Sequence, residues 1–271
     1  MNSTDPPATP PHPHLPPLSP ADPLRLSNFA TSVSWMVRDP ARFMALMKEA
    51  SSLVEGGFHS ADNLFTWGRN NSMFDDLAFR RAWESNCINE SDRAIVWRRY
   101  ILATMAHHAV QLEGDFVECG VYAGTGIKTV MDFLGGPAFP KTFWAFDTFD
   151  YNPVEGHAFE GQAAGFHEQV AARFSDYSNV KLVKGLIPEV FAAGVPDRLA
   201  YLHIDLNHAP AEISVLDHLF DRVVPGGIVI FDDYEWAGIY RVQKIAEDAW
   251  LDARGYRVTP LPTGQGLVIK R

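Results

Sequence analysis

The sequence predicts an α/β fold: a mostly parallel sheet of about seven strands, helices on both faces, and an N-terminal helical extension. Two observations predict it. Past Gly114, the short apolar runs DFVEC, TFWAFD, VKLVKG, LAYLHID and GGIVIFDD alternate with helical-period segments at 160–174, 212–223 and 239–253. Each parallel neighbour needs a crossover, so strand, helix, strand in repetition signals a parallel sheet. The last runs, GYRVTPL and GQGLVIKR, are joined by a Pro/Gly turn and read as a closing antiparallel pair.

The elements follow in order. Residues 1–23 are dominated by proline and carry almost no core-forming side chains, which predicts a disordered or polyproline-like tail. Residues 24–113 read as a helical cap. Phe29, Val33, Met36 and Val37 recur at helical steps, as do Phe43, Met44 and Met47. Asp39-Pro40 between the two sets marks a break, with the second helix starting at the proline. A loop is expected at GGFHSADN. A second helical zone runs from Phe74 to Leu112 and breaks near 86–91. There Ser91 and Asp92 read as a helix start ahead of RAIVWRRYILATMAHHAVQL. Its apolar stripe reads as core, with a lid over a ligand as the alternative. Residues 114–271 hold the sheet.

Composition narrows the function. At 46% hydrophobic and 21% charged, the 271 residues are ordinary for a soluble globular protein. No run of about 18 uncharged apolar residues predicts a membrane span, and the basic and apolar regions of a signal peptide are absent. A net charge of −10 argues against a nucleic-acid binder. Cys87 and Cys119 have no partners at zinc-ligand spacing, so both read as reduced thiols in a cytoplasmic enzyme. The aromatic-rich helices before Gly114 are compatible with a homodimer and, equally, with ordinary core packing.

The stretch VECGVYAGTG, residues 117–126, follows the first strand of the sheet. Its glycines are spaced GxxxGxG, whereas a nicotinamide dinucleotide asks for GxGxxG and a nucleotide phosphate for Gly-Lys-Ser/Thr. An adenosyl cofactor and a purely structural turn remain. Asp147 ends the next strand, where an acid accepts hydrogen bonds from ribose hydroxyls; a solvated strand-end acid is the plain alternative. Lys184-Gly185-Leu186 ends the third strand, where a backbone amide and an apolar side chain can frame an adenine.

Two further strand ends are acidic. LHIDLNH ends in Asp205, followed by Asn207 and His208, and PGGIVIFDDY ends in Asp232 and Asp233. Adjacent parallel strands bring the three carboxylates together, where they repel unless a cation sits among them. An all-oxygen set suits Mg²⁺ or Mn²⁺; helix capping or a polar cleft is the alternative. A divalent ion lowers the pKa of a bound alcohol and holds its oxygen in line with an electrophilic methyl group. His208, close to Asp205, is then the best-placed base, and His157 in NPVEGHAFEG is another.

In this order VECGVYAGTG, WAFDTFD, LHIDLNH and PGGIVIFDDY resemble the macrocin-type O-methyltransferases, over roughly residues 60–271. The resemblance implies a Rossmann-like class I methyltransferase fold with S-adenosylmethionine and Mg²⁺ as cofactors. It also implies methylation of a hydroxyl, on a sugar or elsewhere, of a small natural product. Residue by residue, Glu118, Gly120 and the turn through Tyr122, Gly124 and Thr125 would contact the methionine end, and Asp147 the ribose. Asp205, beside the cofactor, would join Asp232 and Asp233 around the metal. His208 stands three residues after Asp205, where the related catechol enzymes carry their base. One departure stands out. The family usually shows DxDxY where this chain has Asp205-Leu206-Asn207-His208, and Asn207 can offer an oxygen but cannot act as a base. Two other readings stay open: a non-methylation step such as cyclisation or hydroxylation on the same fold, and a non-catalytic partner subunit.

Overall fold

The computed structural model describes residues 28–150 and 163–271. The tail at 1–23 and His157 lie outside the described residues. Before the main sheet come β1 (Phe29–Ala30), α1 (Pro40–Ser52), β2 (Phe58–Ala61) and β3 (Leu64–Trp67). Helices α2 (Ser72–Asp75), α3 (Leu77–Asn86), α4 (Glu90–Ala94) and α5 (Val96–Ala109) follow. The sheet region runs β4 (Asp115–Cys119), α6 (Thr125–Phe133), β5 (Phe143–Asp147), α7 (Phe166–Arg173), β6 (Val180–Lys184) and β7 (Leu199–Ile204). It closes with α8 (Ala209–Leu219), β8 (Val223–Phe231), α9 (Arg241–Asp252), β9 (Thr259–Pro260) and β10 (Gly266–Ile269).

The seven-stranded sheet has the order β6-β5-β4-β7-β8-β10-β9. Its first five strands are parallel, and β10 is antiparallel to both β8 and β9. The chain leaves β4 toward β5 on one side and returns on the other side as β7. The strand order therefore reverses at β4, and the carboxyl ends there form the crevice where such sheets bind ligands. Alternate residues face opposite layers. Phe116, Tyr201, Ile228 and Ile230 pack against Leu102, Ala106 and Ala109 of α5 and Ile127 of α6. Val117, Leu202, Ile204 and Val229 pack against Val215, Leu216 and Leu219 of α8 and Leu251 of α9. Burial on both faces is why these strands read as unbroken apolar runs.

The N-terminal region differs from the helical expectation. Phe29 and Ala30 pair as a strand with His59 and Ser60, and Met36 takes a positive φ of 59°, so the first helix does not form. The second helix does start at Pro40, capped by the Asp39 side chain, which accepts from the Arg42 amide at 3.0 Å. GGFHSADN is not a loop. It contains β2, whose His59 and Ala61 are buried while Phe58 and Ser60 are only partly so. The turn to β3 is two residues long, with Asp62 and Asn63 at φ 53° and 55°. A tight hairpin of matching twist demands positive φ at both positions, which Asp and Asn tolerate. No helix among the described residues is long and apolar enough to cross a membrane.

Candidate active site

The glycine turn after β4 is shaped first by its own protein. A Cβ on Gly120 (φ 90°) would stand 1.8 Å from the Asp205 carbonyl oxygen, so only glycine lets the ends of β4 and β7 meet. A Cβ on Gly124 (φ 73°) would strike the Phe174 ring at 2.6 Å. Tyr122, at φ 48°, packs on Phe166 with ring centroids 5.5 Å apart, and the buried Thr125 hydroxyl donates to Asp92 at 3.3 Å.

Asp147, the expected ribose acid, also shapes the turn. Its Oδ2 accepts from the Val121 and Tyr122 amides at 2.6 and 2.8 Å, and its Oδ1 from the Phe149 amide at 2.6 Å. The carboxylate therefore holds the turn in shape through three backbone bonds. At the end of β6, Lys184 pairs with Asp150, and the Gly185 amide donates to the Asp147 carbonyl at 2.9 Å. Leu186, partly exposed, follows.

Beside this turn lie two groups of opposite charge. Arg99 Nη1 is 2.7 Å, and Glu118 Oε1 3.5 Å, from the point a Cβ on Gly126 would occupy. Arg99 Nε is buried with no hydrogen-bond partner among the described residues. An orphaned guanidinium donor next to a carboxylate suits a zwitterion such as the methionine end of S-adenosylmethionine. On that test the turn fits the cofactor.

The histidine at the centre is His203, which sequence reasoning missed. It faces Glu118 across the β4–β7 pair, with Nδ1 3.0 Å from Glu118 Oε2. Its Nε2 is 3.4 Å from Asp232 Oδ1, which also accepts from Gln265 Nε2 at 2.9 Å. Burial pulls the imidazolium down, but Glu118 and Asp232 outweigh it and hold His203 up to about 10. The signal was there: in LAYLHID, period two puts Tyr201, His203 and Asp205 on one face. His208 is exposed at the N-cap position of α8.

Arg98, from the first turn of α5, was missed as well. Its Nε and Nη2 grip Asp62 at 2.7 and 3.2 Å. Its Nη1 reaches Asp232 Oδ2 at 2.7 Å and Asp233 Oδ1 at 2.9 Å. The Trp236 ring covers the guanidinium at 5.2 Å and meets Trp35 edge-on at 5.8 Å. Asn63 in turn bonds both backbone groups of Trp35, at 2.9 and 3.1 Å, so the N-terminal hairpin is tied over the strand ends. Burial raises the Asp232 carboxyl, but Arg98 and His203 overcome that and leave it well below the usual carboxylate range. Asp233 rises to about 6, through burial and then the Asp232 charge.

These contacts decide how well a divalent ion fits. His203, Asp205 and Asp232 present ligand-type atoms within 4.8 Å of one another. Both ring nitrogens of His203 are turned to carboxylates, so neither is aimed at an ion between the aspartates. Asp232 already serves Arg98, Gln265 and His203, and Asp233 serves Arg98. An ion on the oxygens that Arg98 holds would sit within about 5 Å of a fixed positive charge, a repulsion of about 7 kcal/mol at an effective dielectric of about 20. That leaves Asp205 and the second oxygen of Asp233, with Asn207 beside them, a set from which Asp232, the middle member of the expected three-aspartate site, is missing. The arrangement does not fit a metal held jointly by Asp205, Asp232 and Asp233.

Comparison with known proteins gives a consistent picture. The profile of macrocin-O-methyltransferase (TylF) matches residues 98–253. A 140-residue stretch is 29% identical to the 8-demethyl-8-(2,3-dimethoxy-α-L-rhamnosyl)-tetracenomycin-C 4'-O-methyltransferase of Streptomyces olivaceus, covering 45% of this chain and 53% of that one. A 141-residue stretch is 26% identical to the mycinamicin III 3''-O-methyltransferase of Micromonospora griseorubida, covering 45% and 55%. The chain thus spans about half the length of the curated relatives it matches. The O-methyltransferase NovP superposes with a TM-score of 0.53 at 20% identity, over 65% of this chain and 80% of that one. The apo TDP-rhamnose 3'-O-methyltransferase of calicheamicin biosynthesis gives 0.52 at 17% identity, over 86% and 96%. At such identities these likenesses establish the fold, the Rossmann-like class I methyltransferase architecture.

Proposed function

This chain belongs to the macrocin-O-methyltransferase family, and on that premise we propose that it methylates a hydroxyl of a small, sugar-bearing natural product, using S-adenosylmethionine. The observation that carries the reading is the meeting of two strand ends at the point where strand order reverses. The glycine turn, with Arg99 and Glu118 beside it, abuts the Asp205–His208 segment through the Gly120–Asp205 approach. Cofactor and acceptor sites are thereby adjacent, which is what direct transfer between two bound molecules requires.

The bound cofactor supplies a methyl group activated by a sulfonium. Arg99 binds its carboxylate and Glu118 its ammonium, while Asp147 holds the turn in shape. Asn207 takes φ 55°, and its buried Oδ1 has no partner among the described residues, so it is ready to accept from an acceptor hydroxyl. Its Nδ2 donates to Asp205 Oδ1 at 3.4 Å, which makes the two side chains one polar unit. Burial, then the charges of Asp232 and Asp233, push the Asp205 carboxyl well above the usual carboxylate range. In its ionised form a carboxylate of that kind is a stronger base than an ordinary one: it accepts the hydroxyl proton as the methyl group transfers, and the exposed His208, three residues on, passes that proton to solvent and returns Asp205 to its ionised form. No step is assigned to a divalent ion.

Purified protein with methyl-labelled cofactor and a panel of glycosylated acceptors tests the reading. The expected product is heavier by one methyl group. A product of another mass shift would favour cyclisation or hydroxylation, and failure to bind the cofactor in calorimetry would favour a non-catalytic subunit.

A further inference from the structure

We infer that Arg98 is the resident cation of the acidic strand-end site, occupying by its guanidinium the position that the sequence assigns to a divalent metal. The inference concerns the site of the proposed methyl transfer and rests on that reading where it speaks of catalysis.

The geometry is that of a built-in counter-ion. Asp232 and Asp233 come from adjacent positions after β8, and one nitrogen, Arg98 Nη1, touches both at 2.7 and 2.9 Å. The other side of the guanidinium is closed by the two oxygens of Asp62, and its face by Trp236. The arginine and its three carboxylate partners are all largely buried, with side-chain exposures of 7% for Arg98, 5% for Asp62, 7% for Asp232 and 13% for Asp233. A planar fork with five donors satisfies three carboxylates in fixed directions, which a hydrated lysine or a solvent-borne ion does not. A buried arginine cannot shed its charge, so the site keeps a permanent positive centre.

The carrier of the arginine makes the assignment more than local. Arg98 starts α5, which packs on the sheet, and it is fixed from the far side by the hairpin turn at Asp62. The cation therefore also joins the N-terminal hairpin to the end of β8. A metal would hold the two aspartates without making that connection. The further consequence concerns Asp205 and Asn207: the hydrogen bonds of Arg98 go to Asp62, Asp232 and Asp233, which leaves these two for an acceptor hydroxyl.

Titration with Mn²⁺, followed by the loss of the free-ion paramagnetic resonance signal, tests the inference on the wild-type protein. The expected result is less than 0.1 equivalent bound at about 1 mM ion, together with an unchanged melting temperature in Mg²⁺ or EDTA. Arg98→Ala should gain a Mn²⁺ site with an affinity at least tenfold above wild type, because two carboxylates lose their counter-ion. Stoichiometric Mn²⁺ binding by the wild type, unchanged in Arg98→Lys, would overturn the inference. Should Arg98→Ala not fold, the wild-type titration still decides. Cofactor binding measured by calorimetry in EDTA keeps the two ideas apart: its loss counts against methyl transfer, and only the Mn²⁺ result counts against Arg98. With an acceptor in hand, methyl transfer in EDTA should stay within twofold of the rate in Mg²⁺; abolition in EDTA with rescue by Mg²⁺ would count as refutation.

Discussion

Glu118 and His203 are register partners on neighbouring parallel strands, and the buried imidazole Nδ1 lies 3.0 Å from the carboxylate. The pair ties the cofactor turn to the acidic end of β8, since the other ring nitrogen faces Asp232. Its contribution to stability has a definite pH dependence. His203 titrates near 6.5 when unfolded and near 10 in the fold, so its contribution is complete below about pH 6.5 and fades as pH rises toward about 10. Urea midpoints measured from pH 6 to 10 should fall across that window and flatten in His203→Gln. Glu118→Gln, which leaves the buried imidazolium with Asp232 as its one remaining carboxylate partner among the described residues, should cost about 3 kcal/mol and move the ring titration downward in NMR.

Gly120→Ala and Gly126→Ala should behave differently. At Gly120 the new methyl meets backbone at 1.8 Å, with φ at 90°, and the ends of β4 and β7 must part. A loss of about 4 kcal/mol or more is expected, read as insoluble or unfolded protein. At Gly126 the methyl meets the end of the Arg99 side chain at 2.7 Å, which can swing away. The expected outcome is a melting temperature close to wild type with clearly weaker cofactor binding in calorimetry.

Asp147→Asn replaces a carboxylate that accepts three backbone N–H bonds with an amide that can accept on one side only. The turn should loosen, with a stability loss of about 1–3 kcal/mol. If Asp147 were chiefly a ribose ligand, cofactor affinity would fall while apo stability stayed at the wild-type value; chemical denaturation of the apo protein separates the two.

Between α8 and α9, Glu212 and Glu247 are buried together, and Gln243 Nε2 donates to Glu212 Oε1 at 2.5 Å. Burial first, and then the neighbouring Glu212, push Glu247 from 4.5 up to about 10. Its contribution is therefore present below about pH 4.5 and lost as pH rises toward about 10. Glu247→Gln keeps the shape without the ionisation. It should raise the denaturation midpoint at pH 8–9 and remove part of the alkaline decline.

The sheet was legible because its evidence is local and repeated. DFVEC, FWAFD and LAYLHI bury residues on both faces, and that pattern has few outlets other than a central parallel strand, whereas VKLVK, with Lys181 and Lys184 exposed, forms the edge strand β6. The N-terminal hairpin was not legible. FHSA and LFTW are four residues each, too short to reveal a period, and Asp62-Asn63 is a weaker turn signal than Asn-Gly. Helical spacing at Phe29 and Val33 lost to strand pairing with β2, a partner that propensity within one segment does not see.

For the site, the sequence by itself determined which strands end in acids and which turn is built of glycine, since both are matters of position along the chain. Glu118, Asp147, Asp205, Asp232 and Asp233 do stand at the carboxyl edge. What each acid is used for was decided by tertiary structure alone. Arg98 lies 134 positions from Asp232, and His203 lies 85 from Glu118. No spacing rule connects them. A carboxylate is a ligand, a clamp or half of an ion pair according to the charge that packing brings within 3 Å of it. That neighbour is supplied by a helix and a hairpin folded over the sheet from a distant part of the chain.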